Sequence, residues 1–298
     1  MTASRTDFKE SGHIMHCQLL YVSESQAVQV ESLQALIAEH KLPIVLIAEI
    51  LVDKITQKRR QQLSQEFTQP VLLLDDKNKL SWLSDGLSVT PEWDKLQRRV
   101  VSAGRKSELL LQAARITADS YVIDATAGFG HDSLILASTG AQVTMLEQQP
   151  LMALLLLAEQ LRMSALPNWQ KLMARLHIIN TNALSYFASF DNESTANEQA
   201  VDVVYLDPMF PKDSYQDSKT GKGAKVGKHM QALHQLARPP TLDEELQLLQ
   251  SAQKMVRQQG QKQGRVIVKR PQFAPLLAHL APSESWSNEA LRFDGYFV

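Results

Sequence analysis

The chain is expected to be an α/β protein, with a mostly parallel, doubly wound sheet in residues 116–298 and a smaller α/β subdomain in residues 1–115. Three observations predict this. From Tyr121 onward, short apolar runs alternate with helical segments, and that order calls for crossover connections between parallel strands. The first of these runs, Tyr121-Val122-Ile123, leads into a glycine-rich turn and then a helix start at Ser133-Leu134-Ile135-Leu136-Ala137. Later runs end in Glu147, Asn182 and Asp207, polar residues at the strand ends where open α/β sheets bind ligands.

Each element has its own signal. His13–Val22, Pro43–Leu51 and Pro70–Asp75 are apolar runs bounded by turn residues and read as strands. Glu31–His40 reads as a helix, and Asp75-Asp76-Lys77-Asn78 as a turn into a strand at Leu80-Ser81-Trp82-Leu83. A basic segment with Arg98, Arg99, Arg105 and Lys106 leads to a helix containing Leu109-Leu110-Leu111; those cations can line a nucleic-acid path or simply solvate the helix entrance. The strands that follow are expected at 121–124, 142–146, 176–180, 201–206, 264–268 and 291–297. Leu151–Met163 is rich in leucine and reads as a buried helix, and 191–200 is polar and reads as a loop. Thr241 and Glu244 stand at capping-box spacing before another helix.

Composition bounds the class of protein. In 298 residues, 44% are hydrophobic and 21% charged, ordinary for a soluble globule. The single cysteine, Cys17, lies in an apolar stretch, so no internal disulfide forms and a reducing, cytoplasmic setting fits. Cys17 reads as a core residue, not a nucleophile. No run approaches the roughly 20 apolar residues of a membrane span, and Met1–Gly12 lacks the apolar segment of a signal peptide. A net charge of -1 means that any nucleic-acid binding must use a local patch. Lys212, Lys219, Lys222, Lys225 and Lys228 supply one, interspersed with Gly221, Gly223 and Gly227. Such a stretch can grip a polyanion or be a solvated loop; its place directly after a proposed base pocket favours the first.

The residues that carry chemistry lie at the predicted strand tips. Asp124-Ala125-Thr126-Ala127-Gly128-Phe129-Gly130 has the spacing D-x-x-x-G-x-G, which is not the dinucleotide fingerprint. Gly128 and Gly130 permit positive φ and close approach of a ligand. Asp124 would repel a pyrophosphate but suits an ammonium or a sulfonium, which points to S-adenosylmethionine and not NAD. Glu147 can take both ribose hydroxyls, and Asn182 an adenine edge, although Asn182 is equally suited to cap a helix. At Asp207-Pro208-Met209-Phe210 the Asp207 carboxylate and the Pro208 carbonyl can both accept from a planar amino group. Proline brings no competing N–H, and Phe210 can stack on the ring that carries the amine. An isolated Asp-Pro would be an ordinary turn; four such elements in order are not.

Asp124-Ala-Thr-Ala-Gly-Phe-Gly-His-Asp132, Met145-Leu-Glu147, Tyr205-Leu-Asp-Pro-Met-Phe-Pro211 and Val268-Lys-Arg-Pro271 together closely resemble the RsmJ family, bacterial 16S ribosomal RNA (guanine(1516)-N(2))-methyltransferases. The resemblance covers about residues 70–298. It implies the seven-stranded, Rossmann-like S-adenosylmethionine-dependent methyltransferase fold, with one reversed strand near the C-terminus. It also implies cofactor contacts at His131, Asp132, Glu147, Gln148, Asn182, Ala183 and Asp207, and 16S rRNA or the small ribosomal subunit as partner. No metal or covalent intermediate is required. Gln148 departs from the basic residue expected beside the ribose-binding acid. Read from the residues alone, alternatives stay open: methylation of another amine such as DNA adenine N6 or a protein glutamine, or a silent RNA-binding assembly factor that kept the fold. Lys269, Arg270, Arg292 and Asp294 are expected to lie outside the core site.

Overall fold

The structure, a computed structural model, describes residues 14–51, 55–104, 106–190, 200–210, 236–259 and 263–298. The lysine-rich stretch from Lys212 to Lys228, Arg105, and most of the polar 191–200 segment lie outside these described residues.

The N-terminal part folds as β1 (Met15–Tyr21), α1 (Ala27–Glu39), β2 (Ile44–Ile50), α2 (Gln57–Glu66), β3 (Val71–Leu74), β4 (Leu80–Ser84) and β5 (Leu87–Val89). These strands form one sheet in the order β2-β1-β3-β4-β5. Strict alternation sorts its side chains: Cys17, Leu19, Leu72 and Leu74 face one core, while Leu20, Val71, Leu73 and Leu83 face Leu63 of α2. Burial pushes the Cys17 thiol up to about 12, so it is an inert core residue. α2 and β5 leave no clear signal in the sequence. The first is a polar helix that buries only Leu63, and the second is three residues long.

Two short helices, α3 (Gln97–Ser102) and α4 (Leu109–Ala114), lead to the larger sheet. There follow β6 (Tyr121–Asp124), α5 (His131–Ser138), β7 (Gln142–Glu147), α6 (Pro150–Ser164), α7 (Gln170–Met173), β8 (Leu176–Asn180), α8 (Ala183–Phe190) and β9 (Val203–Leu206). The chain ends with α9 (Leu242–Gln259), β10 (Arg265–Pro271), β11 (Glu284–Ser287) and β12 (Leu291–Phe297). The seven strands lie in the order β11-β12-β10-β9-β6-β7-β8. β12 runs antiparallel to both neighbours and is the reversed strand; the pairs from β10 to β8 are parallel. β11 carried no signal in the sequence because its Glu-Ser-Trp-Ser run is an edge strand with almost no buried face.

α6 explains the leucine-rich run. Its residues Leu151 to Leu157 are all buried, as expected of a helix that is apolar on every side. It lies between the two sheets, against α1 and β4 on one side and β7 and β8 on the other. One core therefore runs from Leu19 and Trp82 through α6 to Met145 and Tyr205. The opposite face of the large sheet is covered by α8 and α9 through Phe187, Leu249 and Val256. At the start of α9 the capping box forms as expected: Glu244 N donates to Thr241 Oγ1 at 3.3 Å, and Thr241 N to Glu244 Oε2 at 2.7 Å. Arg292 and Asp294, two residues apart on β12, pair with each other at 2.9 Å.

Candidate active site

The glycine turn after β6 is shaped from both sides. Asp124 is buried, and its carboxylate accepts from Thr126 N at 3.2 Å and from the Ser133 hydroxyl. That occupation makes Asp124 a brace for the turn, not a surface a ligand reaches, which differs from the direct contact expected of it. Gly128 and Gly130 both have positive φ, 53° and 71°. They serve different ends. A Cβ on Gly130 would lie 2.7 Å from Met145 Cε and 3.0 Å from Trp93, so a side chain there would crowd the core at a φ that already favours glycine. A Cβ on Gly128 would meet nothing nearer than the Thr126 carbonyl at 3.9 Å, so the space above it is open to a ligand.

The N-terminal part holds this turn in place, a contribution with no signal in the sequence. Trp93, fully buried, donates from Nε1 to the Phe129 carbonyl at 2.7 Å. The His131 ring lies 2.6 Å from the Pro91 carbonyl through Nε2 and stacks near Phe129. A carbonyl only accepts, so that nitrogen carries the proton. His131 is thereby engaged as a clamp on the turn and is poorly placed as a general base.

Glu147 ends β7 with its carboxylate facing the turn. Oε2 accepts from Gly128 N at 3.1 Å and Oε1 from Gln149 N at 2.7 Å. Burial raises its carboxyl, these two amides pull only part of the way back, and the net result is about 7. Asn182 caps α8: its Oδ1 accepts from Leu184 N at 2.9 Å, while its Nδ2 donates to Gln148 Oε1 at 3.0 Å. The cap predicted for Asn182 therefore forms, and Gln148 and Asn182 are joined. Ala183 is buried in the first turn of the same helix.

Asp207 follows β9 beside this turn. Its backbone N donates to Thr126 Oγ1 at 2.6 Å, which ties the acidic corner to the glycine turn directly. Its Oδ2 accepts from Lys269 Nζ at 2.9 Å, and the same ammonium donates to Asp132 Oδ2 at 2.7 Å. Tyr205 Oη also donates to Asp132, at 2.7 Å. Burial pushes the Asp207 carboxyl up; Lys269 pulls it back, Asp132 pushes it further, and the net direction is upward. For Asp132 burial also acts upward, but Lys269 and Tyr205 outweigh it and the net direction is downward. Lys269 was expected outside the core site. It enters because its strand pairs with β9 and its side chain points into the crevice, which a Lys-Arg-Pro string cannot reveal.

Arg270 is the second residue brought in. It is buried, its guanidinium lies 5.0 Å from the centre of the Phe210 ring, and it pairs with Glu245 at 2.7 Å. Phe210 is 5% exposed, so a base reaches its face only if the corner opens. Pro208 is buried and Met209 partly so.

These groups suit S-adenosylmethionine. The open space over Gly128 admits a ligand close to the backbone, and Glu147 is a buried acceptor with no cation among the described residues. Such an acceptor matches paired ribose hydroxyls. A 3-2-1-4-5-7-6 strand order, a glycine turn after the first strand and an acid at the tip of the second define a Rossmann-like, S-adenosylmethionine-dependent methyltransferase. The SAM_MT family model, which describes SAM-dependent methyltransferases, matches residues 46–298. The chain is 85% identical over 285 residues to ribosomal RNA small subunit methyltransferase J of Psychrobacter arcticus, covering 95% of this chain and 96% of that one. It is 38% identical over 225 residues to the protein of the same name from Acinetobacter baumannii, covering 74% of this chain and 76% of that one. A crystal structure of a SAM-dependent methyltransferase from Neisseria gonorrhoeae superimposes with a TM-score of 0.62 at 26% identity, over 94% of this chain and 95% of that one. The chain belongs to the ribosomal RNA small subunit methyltransferase J family, the family its motifs resemble.

Proposed function

We propose that this enzyme transfers a methyl group from S-adenosylmethionine to the exocyclic N2 of a guanine in 16S rRNA, acting in the cytoplasm on the RNA or the small ribosomal subunit. The observation that carries the reading is the join between Thr126 and Asp207, which sets an amine acceptor beside the open glycine turn. Family membership supports the substrate class. Among the described residues no helix is long and apolar enough to cross a membrane.

A guanine N2 lone pair is delocalised into the ring and is a poor nucleophile. The bound donor supplies a methyl group already activated by its sulfonium. What the chain must add is alignment, which contributes up to about 7–11 kcal/mol in well-oriented systems. Asp207 and the Pro208 carbonyl accept from the amino group, draw charge toward nitrogen and aim it. Phe210 stacks the base once the corner opens, worth roughly 1–3 kcal/mol, and the base must leave its stack to arrive there. Glu147 takes the ribose, and Gln148, Asn182 and Ala183 frame the adenine side. His131 and Asp132 act through the turn that borders the methionine end.

The first 115 residues serve as a brace for the cofactor turn through Pro91 and Trp93. Lys212, Lys219, Lys222, Lys225 and Lys228 grip the RNA backbone, a reading that rests on their charge and their place in the chain directly after the corner. The test is transfer of labelled methyl to small subunits and to naked 16S rRNA, followed by mapping of the product. Label on guanine N2 is the expected result. Label on adenine N6 or on protein, or none, would overturn the assignment.

A further inference from the structure

Lys269 lies on β10 with its ammonium between two acids from different elements. Asp132, in the first turn of α5, belongs to the turn that receives the donor; Asp207, after β9, belongs to the corner that receives the amine. A single cation thus joins the two halves of the site. The charged and titratable groups packed around it are Asp124 from β6, Asp132 from α5, Tyr205 from β9, Arg99 from α3, and Arg270 from its own strand. Their hydrogen bonds are not equivalent. Asp132 has a second donor in Tyr205, and Arg99 adds positive charge nearby. For the Asp207 carboxylate, Lys269 is the ammonium in direct hydrogen-bond contact, and Arg270 acts only through space.

We propose that Lys269 is a positioning residue that keeps Asp207 ionised and aimed as an acceptor for the substrate amine, so that Asp207 orients the amine without becoming its proton sink. The inference rests on the amine-transfer reading of the same site. Its chemistry follows from the pairing: a carboxylate bonded to an ammonium still accepts from a neutral N–H, but it is a weakened base. The N–C bond forms as the C–S bond breaks with its electron pair passing to sulfur, and the proton of the alkylated nitrogen goes to solvent water. Burial pulls the Lys269 ammonium down, but the two carboxylates more than offset this and hold it above the ordinary lysine range, so it stays charged at working pH. Without it, Asp207 faces the negative charge of Asp132 in a part-buried crevice. Its carboxyl then rises, the ionised fraction falls at a given pH, and activity is lost first on the acid side.

The experiment is methyl transfer to small subunits at saturating donor, from about pH 6 to pH 9, where general acid–base groups reveal themselves as limbs of the profile. Lys269→Met is expected to have its acid limb displaced upward by about one unit, so that it is about tenfold slower than the wild type on the acid side of the limb and recovers as pH rises, the shift a tenfold change in ionisation corresponds to. Lys269→Arg should restore the wild-type limb. Should Lys269→Met fail to fold by thermal melting, Asp132→Asn reads the same coupling in the other direction, because Lys269 then serves Asp207 alone and the limb should move down. A limb unmoved in the folded variants, or a loss equal at every pH and not rescued by arginine, would overturn the proposal. The wild type measured alongside separates the two readings: no transfer by it removes the amine-transfer reading and this inference together, whereas normal transfer with an unmoved limb removes the inference alone.

Discussion

Glu147 and Asp207 end the two strands that flank β6, yet the fold holds them in opposite ways. Glu147 is satisfied by two backbone amides and has no cation among the described residues. Asp207 is bonded to an ammonium that it shares with Asp132. An acid held by neutral amides keeps spare acceptor capacity and remains protonatable near neutrality, which suits neutral hydroxyls that bind and leave. An acid beside a fixed cation keeps its orientation through the reaction, which suits the amine. On the proposed reading, two carboxylates at the same end of the sheet divide binding from alignment, and their donors set them apart.

The sharpest way to break the comparison is to remove the aligning acid. Asp207→Ala should lower kcat by about 10²–10³-fold, the scale for losing one preorganised polar group, an effect larger than any on donor affinity, while the melting temperature stays near wild type. A well-folded variant with near-normal turnover would remove Asp207 from the alignment. Glu147→Gln should do the opposite. Donor affinity, measured by calorimetry, should weaken by about 1.5–3 kcal/mol, with kcat at saturation little changed.

The same acid predicts a pH dependence. The Glu147 carboxyl stands at about 7 in the fold against an ordinary 4.5. Raised in this way, it contributes stability that is present below the ordinary value and is lost as pH rises through about 7. Ribose hydroxyls donate to the ionised form, so donor binding should tighten over that same window. In Glu147→Gln both slopes should flatten; an unchanged slope of binding against pH would assign the dependence to another group.

Thr126→Val probes the join between the two halves. It leaves the Asp207 amide without its acceptor, a loss of about 1–3 kcal/mol in stability that chemical denaturation would detect, together with a fall in kcat larger than any change in donor affinity. The smallest effect concerns the RNA grip. Neutralising Lys219, Lys222 and Lys225 should reduce the slope of log affinity against log salt by about 2, at roughly 0.7 per contact to single strands. An unchanged slope would mean that these lysines are solvated surface.

Much of this was legible in the sequence because it depends on local order. Strands β6, β7, β8 and β12 fall where apolar runs placed them, since their cores are contiguous in sequence. Glu147 and Asp207 were visible because a strand tip is a position that sequence can count. The polar edge strand β11 and the polar helix α2 were not, because each buries too little to leave a periodic pattern. The lysine-rich stretch was legible as charge alone.

The sequence by itself determined the parallel scaffold, the glycine turn and the acids at its rim, because each follows from periodicity or from backbone freedom within a few residues. Only the tertiary structure decided who holds those acids. The bond from Trp93 to Phe129 crosses between the two sheets, and the bridge from Lys269 to Asp132 and Asp207 joins β10 to α5 and to the end of β9. Such partners are distant in the chain and meet only when the strands pair, so no local pattern encodes them. Strand pairing drew Lys269 from the margin into the centre of the site, while burial of the β6 tip and two donors a few residues on, Thr126 and Ser133, made Asp124 a brace where a ligand contact was expected.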